Sequence, residues 1–321
     1  MNTNPLRRLL SVRCVASLVR QSSGSIPSYN HGLMGKGKVK RPTLTLPFSY
    51  KPQGEILFGI HPVLLALQAR KRKHFNRVFI KTNKGDNKNL EKIVQLSCEH
   101  GVEVEEVKGH VLDSLSGARP HQGVCLDTSR FPVKRLSLQY HVESLPRDQA
   151  SLWLYLHNIQ DPMNMGAILR TSHFLGVDQV VVPSFNSCNM TPVVSKASAG
   201  AMEVMNPLGL GPDSNSLVQL LETWKEVGGV VVGTAVEDHY SHQVHRYQIN
   251  QPTLLIVGNE GFGIDSSILN LCDILLSIQP QGVDRENLVA SLNVSVATGI
   301  IIHSLLSSMK KADSSQVQQA V

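Results

Sequence analysis

The stretch from Leu152 to Pro183 constrains this chain most. LWLYLHNI (152–159) is an almost wholly apolar run of strand length. It passes through a polar turn into DPMNMGAILRTSHFLGV, a helix expected to carry Ile168, Leu169 and Phe174 on one side, and the apolar run QVVVP (179–183) follows at once. Strand, helix and strand joined this closely make a βαβ crossover. The two strands are then parallel, and a parallel sheet is buried on both faces. Further apolar runs at GGVVVGTAV (228–236), TLLIVGN (253–259) and ILLSI (274–278) each enter a turn rich in Gly, Asn or acid. The pattern predicts an α/β domain over residues 150–310, with ligands taken beyond the carboxyl ends of its strands.

A second α/β module precedes it. From Gly54 the chain reads as a short strand, a helix carrying Val63, Leu64 and Leu67, a strand at Arg77–Lys81, a helix at Leu90–Glu99 and a strand at Val102–Val107. This predicts a small domain over 54–128, a linker over 129–149 marked by Pro132 and Pro146, and a tail over 311–321.

Charge divides the chain unevenly. Residues 1–54 hold nine Lys/Arg and no acid, whereas residues 150–321 hold seven Lys/Arg against fourteen Asp/Glu. The opening MNTNPLRRLLSVRCVASLVRQSSGS spaces Arg7, Arg8, Arg13 and Arg20 among Leu, Val and Ala, with serines after them. That is the composition of a mitochondrial transit peptide, and residues 1–53 are read as such a leader followed by a basic linker, with a basic RNA-binding tail as the alternative. The run Arg70, Lys71, Arg72, Lys73 suits phosphate neutralisation and is expected to touch RNA; a solvated helix end is the bland alternative.

Other classes drop out. No apolar run approaches the roughly 18 to 20 residues of a membrane helix. The five cysteines stand singly with no C-x-x-C, and His239, His242 and His245 follow no recognisable ligand spacing, so no metal is expected.

Three segments carry candidate chemistry. Asn158, Asp161, Pro162, Asn164, Gly166 and Arg170 open the helix after the first strand. Asn164 and Arg170 would bring an amide and a guanidinium to one crevice, although an Asx-turn with a surface arginine would look the same. Gly258-Asn259-Glu260-Gly261-Phe262-Gly263 is a glycine-rich turn that is neither a dinucleotide fingerprint nor a Walker loop. Ser291, Leu292 and Asn293 open the final helix, where Ser and Asn are ordinarily caps.

In this order and at these distances, NIQDPMNMGAILRTSHFLGV, LIVGNEGFGI and SIQPQGVDRENLVASLNVSVATGI resemble the three motifs of the SpoU (TrmH-like) branch of the SPOUT RNA methyltransferases. GIHPVLLALQA and HQGVCLD resemble the L30e-like substrate-binding domain that precedes many of them. The resemblance implies an α/β SPOUT domain with a trefoil knot behind a small L30e-like α/β domain. It further implies dimers built across the knot, and S-adenosylmethionine as methyl donor to a ribose 2'-oxygen. With a mitochondrial leader, the substrate would be a guanosine of the large-subunit ribosomal RNA, methylated in the matrix on free RNA or on an assembling subunit.

Carried onto this chain, the resemblance makes Asn164, Arg170, Glu260, Ser291 and Asn293 the catalytic set. The cofactor would lie against Thr234, Ala235, Val236, Ile256, Gly258, Asn259, Gly261, Ile278, Gln279, Leu288, Ser291, Leu292 and Asn293. The stretch IQPQGVDRENLVASLN is longer than in many relatives, which loosens the reading of Ile278–Gly282. A guanidinium with pKa above about 12 is a poor proton acceptor, so Arg170 is read as a phosphate grip that stabilises a developing alkoxide. Two alternatives stand beside this: a catalytically silent RNA-binding assembly factor, against which the intact Arg170, Glu260 and Asn293 argue, and methylation of another acceptor such as a base nitrogen or a transfer-RNA ribose.

Overall fold

The computed structural model describes residues 50–82, 87–147, 149–213, 215–235, 241–280 and 291–318, with side chains as far as 309. Two compact units emerge: one ends at Ser129, and the other comprises Ala69–Lys73 and Arg130–Val321.

The first unit runs β1 (Glu55–Phe58), α1 (Ile60–Ala69), β2 (Phe75–Lys81), α2 (Lys88–Glu99), β3 (Glu103–Val107), α3 (Gly109–Ser116) and β4 (Val124–Thr128). Its sheet order is β1-β4-β2-β3, with β2 and β3 parallel and β4 antiparallel to β1 and β2. Leu57, Val63, Leu67, Val78, Ile93 and Leu126 fill its core. Asn87 starts α2 by accepting from the backbone N–H groups of Asn89 and Leu90. Asp127, fully buried at the end of β4, is held by Gln53 N (2.8 Å), Gly54 N (3.0 Å), Asn76 Nδ2 (3.2 Å) and the Tyr50 hydroxyl. A buried carboxylate is tolerable only with such a full set of donors.

The second unit runs β5 (Lys134–Arg135), α4 (Leu138–His141), β6 (Ser151–Leu156), α5 (Pro162–Leu175), β7 (Gln179–Pro183), α6 (Pro192–Ala197), α7 (Ala201–Val204) and β8 (Leu208–Leu210). It continues with α8 (Ser216–Glu226), β9 (Val230–Thr234), β10 (His242–Gln243), a 3₁₀ turn (Val244–Arg246), β11 (Pro252–Val257), α9 (Ser266–Leu269), β12 (Ile274–Ser277) and α10 (Val294–Gln318). The sheet order is β10-β12-β9-β11-β6-β7-β8-β5, and every pairing among the described strands is parallel. Both faces are covered: Leu152, Leu154 and Leu156 of β6 enter one core with Ile168, Leu169 and Ile302, while Trp153 and Tyr155 enter the other with Leu220 and Trp224. The two-sided burial expected of apolar parallel strands is met. Gly166 lets α5 and α6 close up, since a Cβ there would stand 2.4 Å from Ala197 Cβ.

Three expectations change. Residues 129–149, read as a linker, carry β5 and α4, and β5 pairs with β8 in the large sheet. The last helix runs to Gln318, into the expected tail. Phe174 is 87% exposed. At about 100° per residue it falls on the face of Arg170, turned away from Ile168 and Leu169. Residues 281–290 lie outside the described residues, as do residues 1–49 of the expected leader and basic linker over 1–53.

Candidate active site

The site follows from one pairing. β6 and β11 are parallel neighbours in register from Pro252↔Ser151 to Val257↔Leu156, so the turns that leave their carboxyl ends must meet. The first turn is the Asn158–Asp161 stretch. Asn158 adopts a left-handed φ of 56°, and Asp161 caps α5 by accepting from Met163 N at 2.9 Å, with Pro162 at the first helical position. The second turn is closed on itself by Asn259 N to Gly263 O (2.8 Å) and Gly263 N to Asn259 O (3.0 Å). Gly263 has φ 72°, and a Cβ on Gly258 would sit 2.4 Å from the Gly263 carbonyl carbon, so bulkier residues cannot make this turn. Asn259 joins the two turns: its Nδ2 donates to Asn158 O at 2.8 Å, while its Oδ1 accepts from Gly261 N (2.8 Å) and Phe262 N (3.1 Å).

Glu260 is the hub. Its carboxylate accepts from Asp161 N (3.1 Å), Gln160 N (3.4 Å), Asn164 Nδ2 (3.2 Å) and Asn259 Nδ2 (3.3 Å). Burial works to raise its pKa, but the hydrogen bonds from its own backbone, Asn164, Asp161 and Gln160 together outweigh it and hold the carboxyl below its ordinary value. Glu260 is therefore an anion at neutral pH. Asn164 in turn accepts at Oδ1 from Asn293 Nδ2 at 3.0 Å. Asn293 caps α10 as well, accepting at Oδ1 from Ser295 N at 2.9 Å and Ser295 Oγ at 2.6 Å. One side chain thus both caps α10 and reaches Asn164.

Arg170 is not in this cluster. Six residues along α5 turn the helix by about 240° and advance it about 9 Å, so Asn164 faces inward while Arg170 lies exposed and, among the described residues, without a hydrogen-bond or ion-pair partner. The expectation that the two share one crevice within a chain is corrected. Arg170 belongs instead to a stripe of Met163, Ala167, Arg170 and Phe174, spaced four, three and four residues apart. Its neighbour α10 exposes Val296 and Ile300 and approaches α5 at Gly299 and Thr171. A cleft of ≈ 980 Å³ runs here, lined by Ala167, Thr171, His245, Gln279, Ile300 and His303 among others.

The residues expected around a cofactor come together in part. β12, β9 and β11 are adjacent, so Thr234 and Ala235, Gly258 and Asn259, and Ile278 and Gln279 share one edge of the sheet; Ala235 N donates to Leu276 O at 3.0 Å. Ile256 is buried in the core, which leaves only its backbone for a ligand. Gly261, Ser291 and Leu292 are exposed, while Val236 and Leu288 lie outside the described residues. No group of three or more His, Cys, Asp or Glu able to hold a metal occurs among the described residues; His239 is not one of them.

The basic run is a second correction. Arg72 is fully buried in a bidentate pair with Glu203 (Nε to Oε2 2.8 Å, Nη2 to Oε1 2.7 Å), and Ser195 Oγ donates to the same carboxylate at 2.7 Å. Lys71 Nζ donates to the carbonyls of Val204 and Met205. Neither is free for phosphate, and only Arg70 and Lys73 stay exposed. Reading also missed His157, whose Nε2 lies 3.0 Å from Asp265 Oδ2 and which is buried beneath the first turn. The one available signal was a histidine ending an apolar strand.

A parallel sheet whose neighbouring strand ends bring these two turns and the start of α10 together defines an α/β fold with a ligand site beyond the carboxyl ends of its strands. The chain belongs to the SpoU rRNA Methylase family: that family's model matches residues 151–303, and the model for RNA 2'-O ribose methyltransferase substrate binding matches residues 56–133. It is similar to the Homo sapiens protein named rRNA methyltransferase 1, mitochondrial (39% identity, 80% of this chain, 73% of that one). It is also similar to the Pseudomonas putida 23S rRNA (guanosine-2'-O-)-methyltransferase RlmB (32% identity, 78% of this chain, 95% of that one). Among solved structures, the fold matches the SpoU methyltransferase AviRb from Streptomyces viridochromogenes in complex with AdoMet (TM-score 0.60, 21% identity, 79% of this chain, 89% of that one). An RNA 2'-O ribose methyltransferase matches equally (TM-score 0.62, 23% identity, 79% and 88%).

Proposed function

We propose that this protein transfers a methyl group from S-adenosylmethionine to the ribose 2'-oxygen of a guanosine in mitochondrial large-subunit ribosomal RNA, in the matrix and as a homodimer. The observation that carries the reading is the joining of Asn164, Glu260 and Asn293, from three distant segments, at the carboxyl ends of neighbouring strands in a chain of the SpoU family.

The residues fit the cofactor. The strand ends at Thr234–Ala235, Gly258–Asn259 and Ile278–Gln279 offer backbone groups and glycine turns rather than charged side chains, as suits a nucleoside held edge-on by backbone. Bound there, S-adenosylmethionine supplies a methyl on a positively charged sulfur. The chain's task is alignment and charge. Glu260 fixes the first turn, and through Asn164 fixes Asn293, so that the substrate ribose meets a rigid wall; alignment of this kind can account for ~7–11 kcal/mol of a barrier. Arg170 grips phosphate and stabilises negative charge on the 2'-oxygen as the hydroxyl proton passes to solvent water, with Ser291 as a further donor.

Arg170 stands amid exposed apolar side chains on α5 and α10, which supports a second copy covering that face and receiving Arg170 at its own Asn164–Glu260–Asn293 cluster. The knot belongs to the same reading, as does a mitochondrial leader followed by a basic linker over residues 1–53. The test is methyl transfer from labelled cofactor to mitochondrial large-subunit rRNA with 2'-O-methyl mapping, using the intact chain and Arg170→Ala. One new ribose methyl, reduced about 10²–10³-fold in the variant, is the expected result. A methylated base, or cofactor binding without transfer to any form of the RNA, overturns the reading.

A further inference from the structure

Phe262 is 94% exposed, and it is the most exposed large apolar side chain in the described structure. It is not a surface residue of a loose loop. Its N–H donates to Asn259 Oδ1, the turn that carries it is closed by two backbone bonds between Asn259 and Gly263, and Glu260, two residues before it, is the hub of the candidate site. Gly261 and Gly263 flank it, so no neighbouring side chain in the turn covers either face of the ring. A second apolar side chain, Leu292, is 48% exposed next to Asn293. The polar centre made by Asn164, Glu260 and Asn293 is thus edged by an aromatic ring with both faces open, on a backbone whose conformation is already set.

We infer that Phe262 is a substrate-positioning residue that stacks on an unpaired nucleobase of the RNA, at or beside the ribose to be methylated. The inference rests on the methyl-transfer reading above. Singly exposed apolar residues are ordinary on a protein surface, and Phe262 differs from them in standing on a fixed turn two residues from Glu260. The patch available for a second copy is the helical stripe of Arg170 and Phe174 with Val296 and Ile300, whereas Phe262 is a single flat group beside the reacting centre. Unpaired bases splayed from RNA are held by such rings, because every base presents a π-face. The pre-set turn lowers the ordering cost of binding.

The experiment compares Phe262→Ala, Phe262→Leu and Phe262→Trp in the full-length chain. It measures affinity for a fluorescent mitochondrial large-subunit rRNA transcript, kcat and KM for that RNA, cofactor affinity, and mass by sedimentation. Ala and Leu should each weaken RNA affinity and raise KM by roughly 5- to 100-fold, with Trp close to the original and with cofactor affinity and mass unchanged. Leu binding as tightly as Phe would mean the ring matters only as an apolar group, and an unaltered Ala variant would mean it matters not at all; either result overturns the inference. A drop in mass for Ala would show that a second copy covers the ring and overturns it too. If the unaltered chain binds the RNA but transfers no methyl, the function proposed above fails while the affinities of the three variants still decide the role of Phe262. An unaltered chain with no affinity for the RNA overturns both.

Discussion

Two glutamates organise the second unit, and they do so in opposite settings. Glu203 is closed off: it meets a buried guanidinium from Arg72 and the hydroxyl of Ser195, with the ion pair 0% and 1% exposed. Glu260 is half open and, among the described residues, has no cation beside it; its donors are neutral amides from two turns and from Asn164. Both tie together segments distant in sequence. Arg72 and Ser195 occupy the Glu203 carboxylate and exclude water from it, so that cluster has no capacity left for a ligand. The Glu260 cluster is satisfied by dipoles at the edge of the sheet and can still face a substrate. Exposure and the kind of donor, more than the residue type, separate a glutamate closed off in the fold from one at the candidate site.

The sharpest break of this comparison is Glu203→Ala. It strands Arg72 as a buried unpaired charge and should cost about 3–5 kcal/mol, lowering Tm by roughly 6–20 °C, with turnover per folded molecule retained. An unchanged melting curve would mean the pair is open to water. Glu260→Ala should do the reverse: about 10²-fold less methyl transfer from misaligned turns, with stability down only about 1 kcal/mol, read by parallel kinetics and thermal melts. Equal losses of stability in the two variants would erase the distinction.

Mixing two inactive chains, Arg170→Ala and Asn293→Ala, sharpens the account of the open cluster. If Arg170 serves a second copy's cluster, the mixture should recover up to about a quarter of the original activity, through hybrids with one whole site. A mixture as inactive as its parts would put Arg170 to work within its own chain. The smallest effect is the response to acid. Because the Glu260 pKa lies below its unfolded value near 4.5, its contribution to stability is complete above that pH and disappears as the pH falls through the lower, folded value. Melting Glu260→Gln and the original chain between pH 3 and 7 should show a gap at neutral pH that narrows toward the acid end, and the gap should be modest because the carboxylate is partly solvated. A gap constant with pH would assign it to packing rather than charge.

Much of this was legible in the chain. The parallel sheet was written in apolar runs of strand length separated by one helix, because a strand covered on both faces has no polar side to show. The three turns were marked by Asn, Glu and Gly, residues that turns need whether or not they bind anything, so only their joint order pointed to a site. β5 and β8, two and three residues long, carry too little periodicity to be seen. Phe174 was misplaced because a helix that passes from one packing environment to another keeps apolar residues on more than one face. The basic run misled for a similar reason: four cations in a row look alike until the fold turns Arg72 inward and leaves Arg70 and Lys73 in water.

By itself, then, the sequence determined the fold class, the family and the identity of the polar residues at the strand ends, since these depend on local pattern and on motif order along the chain. Only the tertiary structure decided which of them touch. The adjacency of β6 and β11 joined Asn164 to Glu260, the start of α10 brought in Asn293, and helical geometry put Arg170 on a different face. Contacts between residues a hundred positions apart depend on strand order and register, which are set by how both faces of the whole sheet are buried and leave no trace in any single segment.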